Sequence, residues 1–207
     1  MDELLEELEY EIKILTQSGF YNTEEINEII EEQFLDENLD KYNMLELIEK
    51  SVQENNKQLT EENLSFFKNL KESFNQLTSK QIVCIHNAGF EFEEGVNDAI
   101  EIYTHLFNNK FNPKGFVFYT FTDIEYAIEE EELFLSFGDY EKNQELALEI
   151  GKEIKKTLID NNLTVVWNEN IDEQILIKPF RWIKEYDEEL YEMEGSVESY
   201  MKINKLE

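Results

Sequence analysis

The chain has one cysteine, two prolines, two histidines, seven glycines and 18 basic residues in 207 positions, and each scarcity removes a class of function. The lone Cys84 excludes an internal disulfide, and its place in the apolar run Gln81-Ile-Val-Cys-Ile-His86 predicts a buried, inert thiol rather than a nucleophile. The glycines are nowhere grouped as Gly-x-Gly-x-x-Gly, so no loop of that kind cradles a phosphate, and no Gly-x-Ser-x-Gly turn presents a serine. The bases are outnumbered by 48 acidic residues, a formal net charge of -30. Such a chain repels a phosphate backbone and has no basic patch interleaved with aromatics, which excludes direct nucleic-acid binding of the simple kind. No basic-then-apolar leader occupies the first twenty residues, and no apolar run approaches the roughly 18 residues of a membrane span. The expectation is a cytoplasmic protein without a membrane partner.

What is present is a core. Hydrophobic residues make up 41% of the chain and include 15 Phe and 10 Tyr, an aromatic content at odds with a disordered acidic chain. Strand-like runs lie at Gln81–His86, Phe116–Phe121 and Leu133–Gly138, with further candidates at Leu163–Trp167 and Gln174–Ile177. Helical periodicity fills the intervals: Phe67, Leu70, Phe74 and Leu77 before the first strand, then Val96, Ala99, Ile100, Tyr103 and Phe107 after it. The second of these helices is predicted to start after Gly95. A third, short one starts at a capping box of Thr122 and Glu125, and Leu146, Ala147, Ile150, Ile154 and Leu158 mark a long fourth. Strands alternating with helices predict an α/β or α+β fold, a sheet of about five strands layered with helices.

Charge divides the chain. Residues 1–40 hold fourteen acids and one lysine, whereas 41–80 hold six of each sign. Leu4, Leu5, Leu8, Ile12 and Leu15, then Ile26, Ile29, Ile30 and Phe34, predict two amphipathic helices separated by Ser18-Gly19, the second capped by Asn22 or Thr23. Three segments are expected: an acidic helical segment over 1–58, an α/β domain over 59–182, and an acidic, helical tail over 183–207.

His86-Asn-Ala-Gly89 after an apolar strand, Lys114-Gly-Phe-Val-Phe-Tyr119 with Asp123 and Ala127, Leu133-Phe-Leu-Ser-Phe-Gly138, and Val166-Trp-Asn168 before Ile175 together carry a resemblance. Over residues 64–182 the chain resembles an uncharacterised bacterial domain family of unknown function, so the resemblance implies a fold and no activity; the acidic N-terminal helices lie outside it.

Chemistry has few places to reside. His86, Glu91, Glu93 and Glu94, with Asp123, are the metal-ligand candidates, because they fall at one end of the predicted sheet; their spacing matches no ligand motif. His86 ends a strand where ligands bind open α/β sheets, which makes it a candidate catalytic base, against the simpler role of fixing the turn that follows. Asp123 is a candidate catalytic carboxylate, against a role in capping a helix. No catalytic constellation, cofactor or metal site is assigned, and an enzyme is not the favoured reading.

The charge favours a binding protein. Complementary potentials raise association rates by orders of magnitude, so the leading expectation is an immunity-type or inhibitor protein that engages a basic partner protein. Glu93, Glu94, Glu129, Glu130, Glu131 and Glu132 would steer it, with Tyr119, Tyr126 and Trp182 as anchors. The alternatives are a polyanion mimic that blocks a nucleic-acid-binding protein, and a metal-dependent enzyme built on His86 and nearby carboxylates.

Overall fold

A computed structural model describes residues 2–205. The chain divides into two compact units, one made of Met1–Ser65 with Trp182–Glu188, the other of Phe66–Arg181 with Glu189–Glu207.

In the first unit, α1 (Glu3–Ser18), α2 (Thr23–Gln33) and α3 (Met44–Asn56) pack around Leu8, Ile12, Leu15, Ile26, Ile30 and Ile48. The apolar stripes of the sequence supply these residues, and each such side chain stabilises the unit by about 1.5–3 kcal/mol on burial. Asn22 caps α2, accepting from the Glu24 and Glu25 N–H groups, while the Glu25 carboxylate accepts from the Asn22 N–H. Residues 182–188, which the sequence divides between the end of the α/β domain and the head of the tail, belong to this unit. Trp182 is 3% exposed and donates its indole N–H to the Ser18 carbonyl. Lys184 is 2% exposed; its Nζ donates to the Gly19 carbonyl at 2.7 Å and lies over the Phe20 ring. A cation is well placed there, because the last carbonyls of α1 carry partial negative charge.

The second unit holds a five-stranded mixed sheet, ordered β1-β2-β3-β5-β4, from β1 (Ile82–Ile85), β2 (Gly115–Phe118), β3 (Leu133–Asp139), β4 (Val165–Val166) and β5 (Ile175–Ile177). Only β1 and β2 run parallel, joined by α5 (Phe92–Asn108); β2 turns through α6 (Phe121–Glu130) into antiparallel β3, and α7 (Gln144–Asp160) leads to the β4–β5 pair. The strand period of two sends Val83, Ile85 and Phe118 to one face, where they pack with Ala99, Ile102 and Leu106 of α5 and Tyr200 of α8 (Met193–Ile203). Cys84, His86 and Tyr119 point to the other face, where Phe74 of α4 (Glu61–Ser79) meets His86 and Tyr119. The eight α-helices and the mixed sheet of the described residues form the α/β or α+β architecture that the alternating pattern predicts.

Several local expectations are corrected. α5 starts at Phe92, not after Gly95, and buries Gly95, Ala99, Ile102 and Leu106; Ile100 and Phe107 are 53% and 58% exposed. Apolar residues span more of this helix than the sheet covers, and the face that wins is the one where Gly95 admits the Phe118 ring: a Cβ there would lie 2.4 Å from it. The capping box of α6 is Thr120 with Asp123, not Thr122 with Glu125, because β2 ends at Phe118 and the helix begins at once. The run Leu163–Trp167 pairs over only Val165–Val166. The tail expected to be helical over 183–207 is helical only from Met193; residues 178–192 are irregular, and Trp182 and Tyr191 are buried in separate units.

Candidate functional site

The carboxyl ends of β1 and β2 are where a parallel pair offers a site. His86 and Asn87 follow β1, and Tyr119 and Thr120 follow β2. The His86 Nδ1 lies 2.7 Å from the Tyr119 hydroxyl oxygen. The imidazole is 8% exposed and boxed by rings: Phe74 at 4.5 Å, Phe67 at 5.6 Å, and the edge of Tyr191 at 5.5 Å. Burial, with Tyr191 nearby, raises the Tyr119 phenol well above its ordinary range, so it stays neutral. Around this box the Lys71 Nζ donates to the Tyr191 hydroxyl at 3.0 Å and to the Glu189 carboxylate at 2.6 Å, and the Asn87 amide donates to Glu192 at 2.8 Å.

The two loops close on each other. Ala88 N–H donates to the Tyr119 carbonyl and Phe121 N–H to the Gly89 carbonyl. Both helix starts at this edge, which in a phosphate-binding fold would receive an anion, already hold a carboxylate of the chain. Glu94 accepts from the Phe90 and Glu91 N–H groups, and Asp123 accepts from the Thr120 N–H at 2.9 Å. Gly89 makes the first arrangement possible: its φ is +65°, and a Cβ there would lie 2.6 Å from Glu94 Cβ and 2.9 Å from its Oε2. Burial pushes the Asp123 carboxyl above the usual carboxylate range against the opposing pull of its bonds to Thr120 and Gln174.

The metal candidates therefore separate. His86 faces the aromatic box, Glu94 is folded onto its own helix start, and Glu91 and Glu93 are exposed; among the described residues no three His, Cys, Asp or Glu side chains converge to hold a metal ion. Cys84 is buried, and burial pushes its thiol up to about 12. Of the proposed anchors, Tyr119 is fully buried and Trp182 nearly so; both serve packing, which corrects their assignment as surface contacts. Tyr126 is 44% exposed beside Phe134. Glu129 and Glu130 are exposed, Glu131 pairs with Arg181 at 3.2 Å, and Glu132 pairs with Lys178.

A different face of the second unit is open and uniformly charged. Around α5 the exposed flank carries Glu94, Asp98, Glu101 and His105, spaced four, three and four residues apart, and so aligned along one side. Across from it α8 presents Glu194 and Glu198. Between them lies a groove of about 290 Å³ lined by Glu101, Ile102, His105, Met193, Glu194, Val197 and Glu198. Glu93, Asp98, Glu101, Glu194 and Glu198 take part in no ion pair among the described residues, whereas along α7 and the β4–β5 turn Glu153 pairs with Lys80 and Glu169 with Lys152 and Lys155. Burial, with Glu101 and Glu94 beside it, raises the Asp98 carboxyl above its ordinary range. Sequence reasoning passed over Glu101, Glu194 and Glu198; their i, i+3, i+4 alignment was visible, but it stood among 48 acids.

A family model built on related sequences matches residues 1–186. The chain belongs to DUF6891, a domain family of unknown function. The DUF6891 match bears out the resemblance to an uncharacterised domain family and extends it from 64–182 to 1–186, so that it takes in the acidic helices α1 and α2. No curated protein and no solved structure matches this DUF6891 chain. Among its described residues no helix is long and apolar enough to cross a membrane.

Proposed function

We propose that this DUF6891 protein is an acidic binding protein that engages a basic partner protein in the cytoplasm, in the manner of an immunity protein or inhibitor. The observation that carries the reading is the α5–α8 face, where Asp98, Glu101, Glu194 and Glu198 take part in no ion pair among the described residues, whereas Glu153 of α7 is paired with Lys80. Clustering like charge costs stability; burial first, and the neighbouring Glu101 and Glu94 second, raise the Asp98 carboxyl. A cationic partner offsets that cost on binding and gains speed of encounter from a net charge of -30. The strand-end cluster supports no rival: its histidine and tyrosine are enclosed by rings, and its helix starts are filled from within.

The test is affinity capture from host extract at low and at high ionic strength. The proposal expects a basic protein retained at low salt and released at high salt, since exposed charges are screened over about 10 Å at ~0.1 M salt and 3 Å at ~1 M. A retained set without basic proteins contradicts it. If the retained protein binds DNA and free DNA displaces it, the partner's nucleic-acid channel is what the acidic face occupies.

A further inference from the structure

We infer that the α5–α8 groove is a seat for a basic amphipathic helix of the partner, an inference that rests on the basic-partner reading and narrows it to one surface. The groove has the two parts such a ligand needs. Its floor is apolar, from the half-buried Met193 and Val197 of α8 over the fully buried Ile102 of α5. Its two walls carry carboxylates, Glu101 on one side, with Asp98 about one turn before it on α5, and Glu194 and Glu198 on the other. Helical turns repeat every ~5.4 Å, so a helix lying along the groove brings its own lysines or arginines, spaced i and i+4, past the wall carboxylates in step. Its apolar seam faces the floor, which is the helix-in-groove mode of recognition.

The remaining features narrow the occupant. At about 290 Å³ the groove takes a few anchoring side chains rather than a bulky cofactor. An anionic or purely apolar ligand leaves Glu101, Glu194 and Glu198 without partners at a desolvated rim, which is unfavourable. His105 stands at one end of the wall, and Lys202, one turn beyond Glu198, is exposed and pairs with no carboxylate among the described residues. These two are the only basic residues on α5 and α8.

Two synthetic peptides of identical composition test the inference, titrated into the isotopically labelled full chain at low ionic strength and followed by amide and methyl chemical shifts. One carries leucines at i, i+3, i+4 and i+7 flanked by lysines; the other scatters the same leucines around the helix. The expected result is binding of the first with shifts centred on Ile102, Met193 and Val197, about tenfold weaker binding of the second, and a loss of about tenfold in the Glu101→Gln/Glu194→Gln/Glu198→Gln variant. The three substitutions are at exposed positions on helix surfaces and keep side-chain size, so the fold survives them. Equal binding of both peptides, or shifts centred elsewhere, overturns the groove while leaving the basic-partner reading in place. Failure of both peptides to bind overturns the groove as well, and the wider reading then rests on capture from extract alone.

Discussion

The His86 Nδ1 and the Tyr119 hydroxyl, 2.7 Å apart, tie together the ends of the two parallel strands. In most open α/β sheets that edge is left free for a ligand; here a buried hydrogen bond and three further rings fill it. The pair acts as a clamp, and its energetics distinguish a clamp from a catalytic couple. Tyr119→Phe leaves the imidazole without this bond and should cost about 1–3 kcal/mol in urea denaturation. The double variant His86→Leu/Tyr119→Phe should cost clearly less than the two single changes added together, because both polar partners leave at once. Additive costs would contradict the clamp.

Lys184 offers a second buried test, in the other unit. Its Nζ donates to the Gly19 and Glu185 carbonyls and to Asp187, so Lys184→Met removes a charge-assisted bond and leaves the Gly19 carbonyl buried without it. A loss of about 1.5–3 kcal/mol is expected. A variant as stable as the parent would show that the ammonium does not hold the end of α1.

Gly89 should resist substitution. Gly89→Ala places a methyl group against Glu94 at a positive φ, and a loss of at least about 1 kcal/mol is expected. Glu94→Gln keeps an oxygen acceptor for the Phe90 and Glu91 N–H groups and should be milder. The reverse order in thermal denaturation would mean that the carboxylate charge, not the shape of the turn, governs this helix start.

The pH dependence follows from Asp98 and Asp123. Both carboxyls are raised above 3.8 in the folded protein, so the folded state binds more protons than the unfolded one in the window above that value. Their contribution is fully present below pH 3.8 and is lost as pH rises through their folded values. These two groups therefore contribute a decline in stability with pH across this window, opposed by Glu153, whose carboxyl Lys80 lowers, and Asp98→Asn and Asp123→Asn should each remove part of that declining contribution. Denaturant midpoints measured at several pH values decide it; an unchanged slope in both variants contradicts the assignment.

How far the sequence reaches is seen in α5 and α6. The strands were legible because aromatic and β-branched runs have few other uses; the start of α2 was legible only as Asn22 or Thr23, and the structure selects Asn22, boxed with Glu25. Thr120–Asp123 and Thr122–Glu125 are equivalent signals two residues apart, and only the end of β2 chooses between them. The face that α5 buries was not legible because apolar residues lie on two adjacent stripes, and contact with Phe118 selects one. The acidic groove joins residues nearly a hundred positions apart, a pairing that no local spacing encodes. Tyr191 and Lys71, which complete the aromatic box, come from an irregular tail and a distant helix for the same reason.

The measurement that bears most directly on function is capture of the partner by two variants of equal charge. Glu101→Gln/Glu194→Gln/Glu198→Gln neutralises the groove, and Glu141→Gln/Glu145→Gln/Glu149→Gln removes the same charge from exposed positions at and before α7. A basic protein that the parent and the second variant retain from host extract, and the first releases, is the predicted result. Equal retention by both variants, or no basic protein retained by the parent, would contradict the account.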